Sequence, residues 1–234
     1  MKNFWLRLFF LLSVRPILTF NYWIDDTVNI TNLQQAWFFP GGGSGNKPYY
    51  TLRINGEMFS GERDWLLRWN ALQAVKHIVE NKRILELGCN MGLLSIFATK
   101  YWHCNCTGLD GTDEKLANKG TPDLIKSAKL AQQAFGISIP IYQLDLDLNN
   151  YEAVLGFDYD VVFCCSVLYW VNQKERLVSY LSRFKHLIFE GHDSDALEID
   201  RFEKVGFNHY EIIAKTQIGV SHGVKQRTLF HFWK

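Results

Sequence analysis

Short, nearly continuous apolar runs punctuate the second half of the chain, and between them apolar residues recur at helical spacing. The runs are Arg83–Leu87, Cys104–Leu109, Ile139–Leu144, Tyr159–Cys165 and His186–Glu190, and the fourth of them, Tyr159–Cys165, is apolar almost throughout. Strands of that kind are buried on both faces, as in a parallel sheet. Helical segments fall between them, one of them predicted from Thr121-Pro122-Asp123, where Thr caps and Pro fits the first turn, to Phe135, with Gly136 as its end. Two further runs, Phe207–Ile213 and Arg227–Trp233, read as strands joined by a loop that holds Gly219 and Gly223.

The first third of the chain follows a different pattern. Residues 1–20 carry an apolar stretch, Leu8–Val14, between Lys2, Arg7 and Arg15. Arg15-Pro16 interrupts it, no small-residue cleavage site follows, and it falls short of the about 20 apolar residues that span a bilayer. Export is therefore not expected. A helix lying at the cytoplasmic membrane face, with Trp5, Phe9, Phe10 and Leu12 toward lipid, is one reading; a helix packed on protein is the other. Residues 21–81 form an accessory cap in this reading. Pro40–Pro48 is turn chemistry throughout, and Asn55-Gly56 between Tyr49–Ile54 and Glu57–Phe59 predicts a tight hairpin. Helical spacing then returns over Trp65–Val75.

Candidate chemistry begins where the first buried strand ends. Glu86-Leu87-Gly88-Cys89-Asn90-Met91-Gly92 places an acid, a Gly-flanked turn and a helix start in succession. Such a turn leaves helix N-terminal amides facing a crevice and lets a ligand approach the backbone closely. A dinucleotide loop would want glycine at its first, third and sixth positions, where this chain has Gly88, Asn90 and Leu93, so NAD is disfavoured. Asp110 closes the next strand, 24 residues after Glu86, a spacing that suits a βαβ unit and an acid able to accept ribose hydroxyls.

The stretch Glu86–Gly92 resembles the acid-x-Gly-x-Gly-x-Gly pattern of class I S-adenosylmethionine-dependent methyltransferases, with Asn90 in place of one glycine. Asn is the non-glycine residue that best tolerates a left-handed backbone, so the departure is mild. The resemblance implies that Gly88, Asn90 and Gly92 lie against the methionine part of the cofactor and that Glu86 helps hold its amino group. It also implies a Rossmann-like α/β fold: a seven-stranded, mostly parallel sheet beginning near Lys82, helices on both faces, and an antiparallel terminal hairpin. The methyltransferase core is then 82–234, in one compact domain with its cap.

The order of hairpin, Gly61-Glu62-Arg63-Asp64, Arg-Trp helix and cofactor loop is similar to methyltransferases of bacterial polysaccharide and O-antigen biosynthesis over residues 49–110. There an arginine matching Arg63, and an aromatic matching Tyr49 or Tyr50, approach the cofactor; a surface ion pair of Arg63 with Glu62 or Asp64 is the alternative. In class I enzymes the end of the third strand meets the adenine, which points to Asp145 and Leu146. The segment Ser166–Trp170 occupies the floor between cofactor and acceptor. It does not carry the run of an acid or Asn, two prolines and an aromatic that amino-methylating DNA enzymes place there, so base N-methylation is disfavoured and no DNA partner is expected. Tyr169 and Trp170 are candidates for the acceptor pocket or for core packing.

Transfer to a hydroxyl asks for a base, and His192, just past the fifth strand, has an ordinary pKa near 6.5 that suits one. Glu190 or Asp193 is placed to orient it, although many methyl transfers proceed by positioning alone. Composition narrows the partners. With 25 basic and 24 acidic side chains, the net charge of +1 gives no bulk attraction to nucleic acid. The odd set of five cysteines, four of them in or beside predicted buried strands or the loop (Cys89, Cys106, Cys164, Cys165), reads as reduced and cytoplasmic. Cys104 and Cys106 form no Cys-x-x-Cys pair and no second pair follows, so no metal is expected. The expectation is O-methylation of a saccharide or related cell-surface precursor. RNA methylation, which would show a basic stripe past Ser166–Trp170, and a non-catalytic cofactor-binding module are the alternatives.

Overall fold

A computed structural model describes residues 28–29, 31–32, 50–54, 57–61, 63–111, 124–148, 150–218 and 225–234. Residues 1–20, Pro40–Pro48 and the Thr121-Pro122 helix start lie outside them. A small sheet, β2-β1-β3, comes first, from β1 (Tyr50–Ile54), β2 (Glu57–Phe59) and β3 (Arg63–Asp64). Ile54 opposes Glu57 in the antiparallel ladder, so the two strands of the expected hairpin pair, while Asn55-Gly56 lie outside the described residues. The parallel pairing of β3 with β1 was not foreseen.

Helix α1 (Trp65–Leu72) is capped by Asp64, whose carboxylate accepts from the Leu66 and Leu67 amides. The predicted helix does not run unbroken to Val75. It tightens to a 3₁₀ turn at Gln73–Val75 and resumes as α2 (Lys76–Val79), which lets Val75 and Val79 both stay buried.

The main sheet has seven strands in the order β6-β5-β4-β7-β8-β10-β9. They are β4 (Arg83–Leu87), β5 (Asn105–Asp110), β6 (Ile141–Gln143), β7 (Val161–Cys165), β8 (His186–Glu190), β9 (His209–Ile218) and β10 (Lys225–Trp233). The first five run parallel, and β10 pairs antiparallel with both β8 and β9. The expected seven-stranded sheet with its antiparallel end hairpin is therefore present. The third strand is shorter than its apolar run, because the chain turns at Asp145.

Alternation along β4 explains the two layers. Ile84 enters one apolar cluster with Trp69, Phe97 and Ala131; Leu85 and Leu87 enter the other with Tyr151, Leu177 and Phe202. Thus α1, α3 (Leu93–Trp102) and α4 (Leu124–Phe135) cover one face, and α5 (Tyr151–Leu155), α6 (Lys174–Leu181) and α7 (Asp195–Glu203) cover the other. Aromatic rings fix α1 on the first face: Trp69 stacks on Trp102 at 4.2 Å, and Trp65 meets Phe97 edge-on at 5.0 Å. The chain leaves β4 toward β5 on one side and reaches β7 on the other. That reversal opens a crevice at the carboxyl ends of the strands. Among the described residues no helix is long and apolar enough to cross a membrane.

Candidate active site

At the carboxyl end of β4 the loop to α3 bends through three left-handed residues, Gly88 (φ 72°), Asn90 (φ 51°) and Gly92 (φ 78°). The conformation is costly for most side chains, and at Gly88 an added Cβ would also overlap Val167 Cγ2. Two amides, of Gly88 and Cys89, donate to the Leu109 carbonyl at 2.7 and 3.0 Å and lash the loop to β5. Asp110 completes the cradle: one oxygen accepts from the Asn90 amide at 2.5 Å and the other from the Gly111 amide at 2.7 Å. Its side chain is half-buried at the rim. Gly92 offers no side chain to cap α3, and of the amides in its first turn that of Ser95 is taken by Glu86.

Glu86 sits beneath this loop, buried. Ser95 grips it twice, from its amide at 3.0 Å and its hydroxyl at 2.6 Å, both to Oε2. Burial pushes the Glu86 carboxyl up to about 7, against the opposing pull of the Ser95 hydroxyl and the positive charge of Arg68.

The other half of the crevice is built from side chains. Ser166, directly after β7, also holds a left-handed backbone, φ 65°. Its amide donates to the Glu190 carbonyl at 2.9 Å, its hydroxyl donates to Glu190 Oε2, and it accepts from Arg227. The buried Glu190 carboxylate pairs with Arg68 at 3.0 Å and lies 3.7 Å from Arg227. Arg68 also donates to the Tyr50 hydroxyl at 3.3 Å. One carboxylate thus ties the cap, through α1, to β7, β8 and β10.

Asp145 accepts from the Asp147 amide at 2.8 Å in a tight turn, and Leu146 is buried beside it. Asp147 turns inward to accept from the Asn172 amide, the Asn172 side chain and the Gln173 amide at 2.7, 3.1 and 2.9 Å. The loop after β6 is thereby locked to the loop before α6. His192 stacks on Tyr169, centroids 4.8 Å apart and planes 23° from parallel. Its amide and that of Asp193 both donate to buried Glu198 at 3.2 Å, while Asp193 pairs with Arg201 at 2.8 Å. Gly191 lies so close to Glu198 that a Cβ there would overlap the carboxylate.

The fold therefore gathers Glu86, Gly88, Asn90, Gly92 and Asp110 on the β4–β5 side, and Ser166, Glu190 and His192 on the β7–β8 side. Arg63 contributes a backbone pairing to β3; its side chain is outside the described set. Three groups escaped the sequence reading: Arg68, Arg227 and Glu198. Arg68 had left a signal, because it falls on the same helical stripe as buried Trp65, Trp69 and Leu72. Glu198 did the same one turn before buried Phe202.

No family model and no curated protein matches the chain. Solved structures do. The N-terminal domain of EvdMO1 with SAH (S-adenosylhomocysteine) bound gives a TM-score of 0.56 at 14% identity, over 88% of this chain and 98% of that one. A longer EvdMO1 structure gives 0.57 at 19%, over 78% of this chain and only 43% of that one, so the chain spans less than half of it. A precorrin-6y C5,15-methyltransferase from Geobacter metallireducens GS-15 gives 0.53 at 14%, over 73% and 90%. The chain thus has the Rossmann-like fold found in S-adenosylmethionine-dependent methyltransferases.

Proposed function

We propose that this chain is an S-adenosylmethionine-dependent methyltransferase that methylates an oxygen of a saccharide or related precursor. The observation that carries the reading is the cradle at the end of β4: three left-handed residues, a helix start with glycine at its cap position and Asp110 at the rim of the same crevice. These groups fit the cofactor's chemistry. Asp110 is an acceptor-only carboxylate at the end of β5, of the kind that takes a diol, and buried Glu86 suits an ammonium group. Gly88, Asn90 and Gly92 would accept the methionine part, Asp145 and Leu146 the adenine, and Arg63 the carboxylate. Ser166 would line the floor.

When bound, S-adenosylmethionine supplies an electrophilic methyl group. The residues of the chain do the rest. His192 is the candidate base, held beside Tyr169 by ring stacking just past the carboxyl end of β8. Glu190 is assigned to positioning, since its carboxylate fixes Ser166 and Arg68 on either side of the crevice. The saccharide acceptor is supported by the resemblance to polysaccharide methyltransferases and by the structure of the EvdMO1 N-terminal domain obtained with SAH and D-fucose.

Calorimetric titration tests the cofactor. SAH is expected to bind and NAD not to, and Asp110→Ala should weaken SAH by about a hundredfold, as loss of charge-assisted hydrogen bonds implies. Absence of SAH binding to the wild-type chain would remove the proposal.

A further inference from the structure

The 3₁₀ turn Leu168–Trp170 after β7 is built in an unusual way. Leu168 is buried as expected, yet the next two residues, both large aromatics, are 56% and 54% exposed at the carboxyl end of the sheet. Large aromatic side chains bury much apolar area when they can, and two adjacent exposed rings at a crevice mark a binding face. The rings of Tyr169 and Trp170 stand at 88° with centroids 5.0 Å apart, so they form a corner. Tyr169 is held in place by His192 on its face and by Lys174, whose ammonium lies 6.0 Å from the ring centre. The Asp147 bonds to Asn172 and Gln173 fix the turn from behind.

We infer that the Tyr169–Trp170 corner binds the acceptor as a sugar ring, with a C–H face of the pyranose laid on Trp170 and its hydroxyl edge turned toward His192. This rests on the methyltransferase reading and names the contact that selects its substrate class. The chemistry around the corner distinguishes the ligand. A lipid would need a continuous apolar groove, and a planar aromatic would need an apolar slot. Here the imidazole of His192 lies on the Tyr169 ring, the Lys174 ammonium lies 6.0 Å from its centre, and exposed Asn172 follows the turn directly after Val171. Aromatic faces rimmed by hydrogen-bonding groups match a ligand with apolar faces and hydroxylated edges. The negative face of the indole attracts the polarised C–H groups of a sugar.

The experiment is saturation-transfer NMR on the full chain loaded with SAH, using methyl β-D-galactopyranoside and methyl β-D-glucopyranoside as probes and benzyl alcohol as the planar control. Wild-type protein is expected to saturate the ring C–H protons of at least one glycoside. Trp170→Ala should lower that signal by about threefold to tenfold, Trp170→Phe should restore most of it, and SAH affinity measured on the same samples should not change. Glycoside signals equal in wild type and Trp170→Ala, no glycoside signal at all, or saturation of benzyl alcohol alone would each overturn the inference. Failure of SAH to bind would instead remove the methyltransferase reading beneath it.

Discussion

The two halves of the crevice are built by different means. On the β4–β5 side, carboxylates meet backbone amides that lie near them in the chain: Ser95 is nine residues from Glu86, and Asn90 is twenty from Asp110. On the β7–β8 side, side chains meet side chains across the whole molecule: Arg68 is 122 residues from Glu190, and Arg227 is 61 from Ser166. The first half is a property of one βαβ unit and forms wherever that unit forms. The second exists only when the cap and the terminal hairpin have both docked. The side proposed for the cofactor thus rests on one local unit, and the side proposed for the acceptor rests on contacts across the whole chain.

The largest effect should come from breaking the long-range half. Arg68→Met leaves buried Glu190 with a lost partner, and breaking a buried pair costs about 3–5 kcal/mol. Urea unfolding of Arg68→Met should show that loss, and the double variant with Glu190→Met should recover part of it, because the uncompensated carboxylate is then gone. A loss in Arg68→Met below about 1 kcal/mol would place the pair among weak surface bridges and dissolve the contrast between the halves.

The same contrast explains what was legible in the sequence. Strand positions, the parallel core, the terminal hairpin and the left-handed backbone at Asn90 follow from local periodicity and local turn preferences, which the structure bears out. Arg68 was passed over because its role is set by β8, an element it meets only in three dimensions. A guanidinium on a tryptophan-lined helical stripe announces a buried partner but not which one. The break of the predicted helix at Gln73 has the same origin: the 3₁₀ turn re-aims Val75 and Val79 at a core that local spacing does not contain.

A smaller and opposite test bears on the local half. Glu86 has its folded pKa raised from an ordinary value near 4.5 to about 7 by burial. A carboxyl raised on folding favours the folded state below its unfolded pKa and loses that contribution as pH climbs through the folded value. The ligand-free chain should therefore lose stability between about pH 4.5 and pH 7, by about 3 kcal/mol at most. Glu86→Gln should flatten that part of the profile, measured by urea unfolding at each pH. A ligand ammonium beside Glu86 favours its ionised form, so SAH should bind more tightly as pH rises over the same window. A profile that is the same in both proteins would show that Glu86 is not the titrating group.

The smallest effect isolates the backbone itself. Asn90 stands at φ 51° with its own side-chain oxygen accepting from the Met91 amide at 2.7 Å, while its amide is spent on Asp110. Asn90→Gly frees the conformation but removes the local bond and adds chain entropy, so the two changes offset and stability should move by less than about 1 kcal/mol. Asn90→Ala keeps the entropy, loses the bond and acquires the left-handed penalty, about 1–2 kcal/mol. Asn90→Ala should thus be the less stable of the two, and its SAH affinity should fall further because the Asn90 amide helps hold Asp110. Equal stabilities would mean that the left-handed turn is imposed by the Leu109 and Asp110 contacts regardless of the residue placed in it, and that even this half of the crevice depends on its neighbours more than on its own sequence.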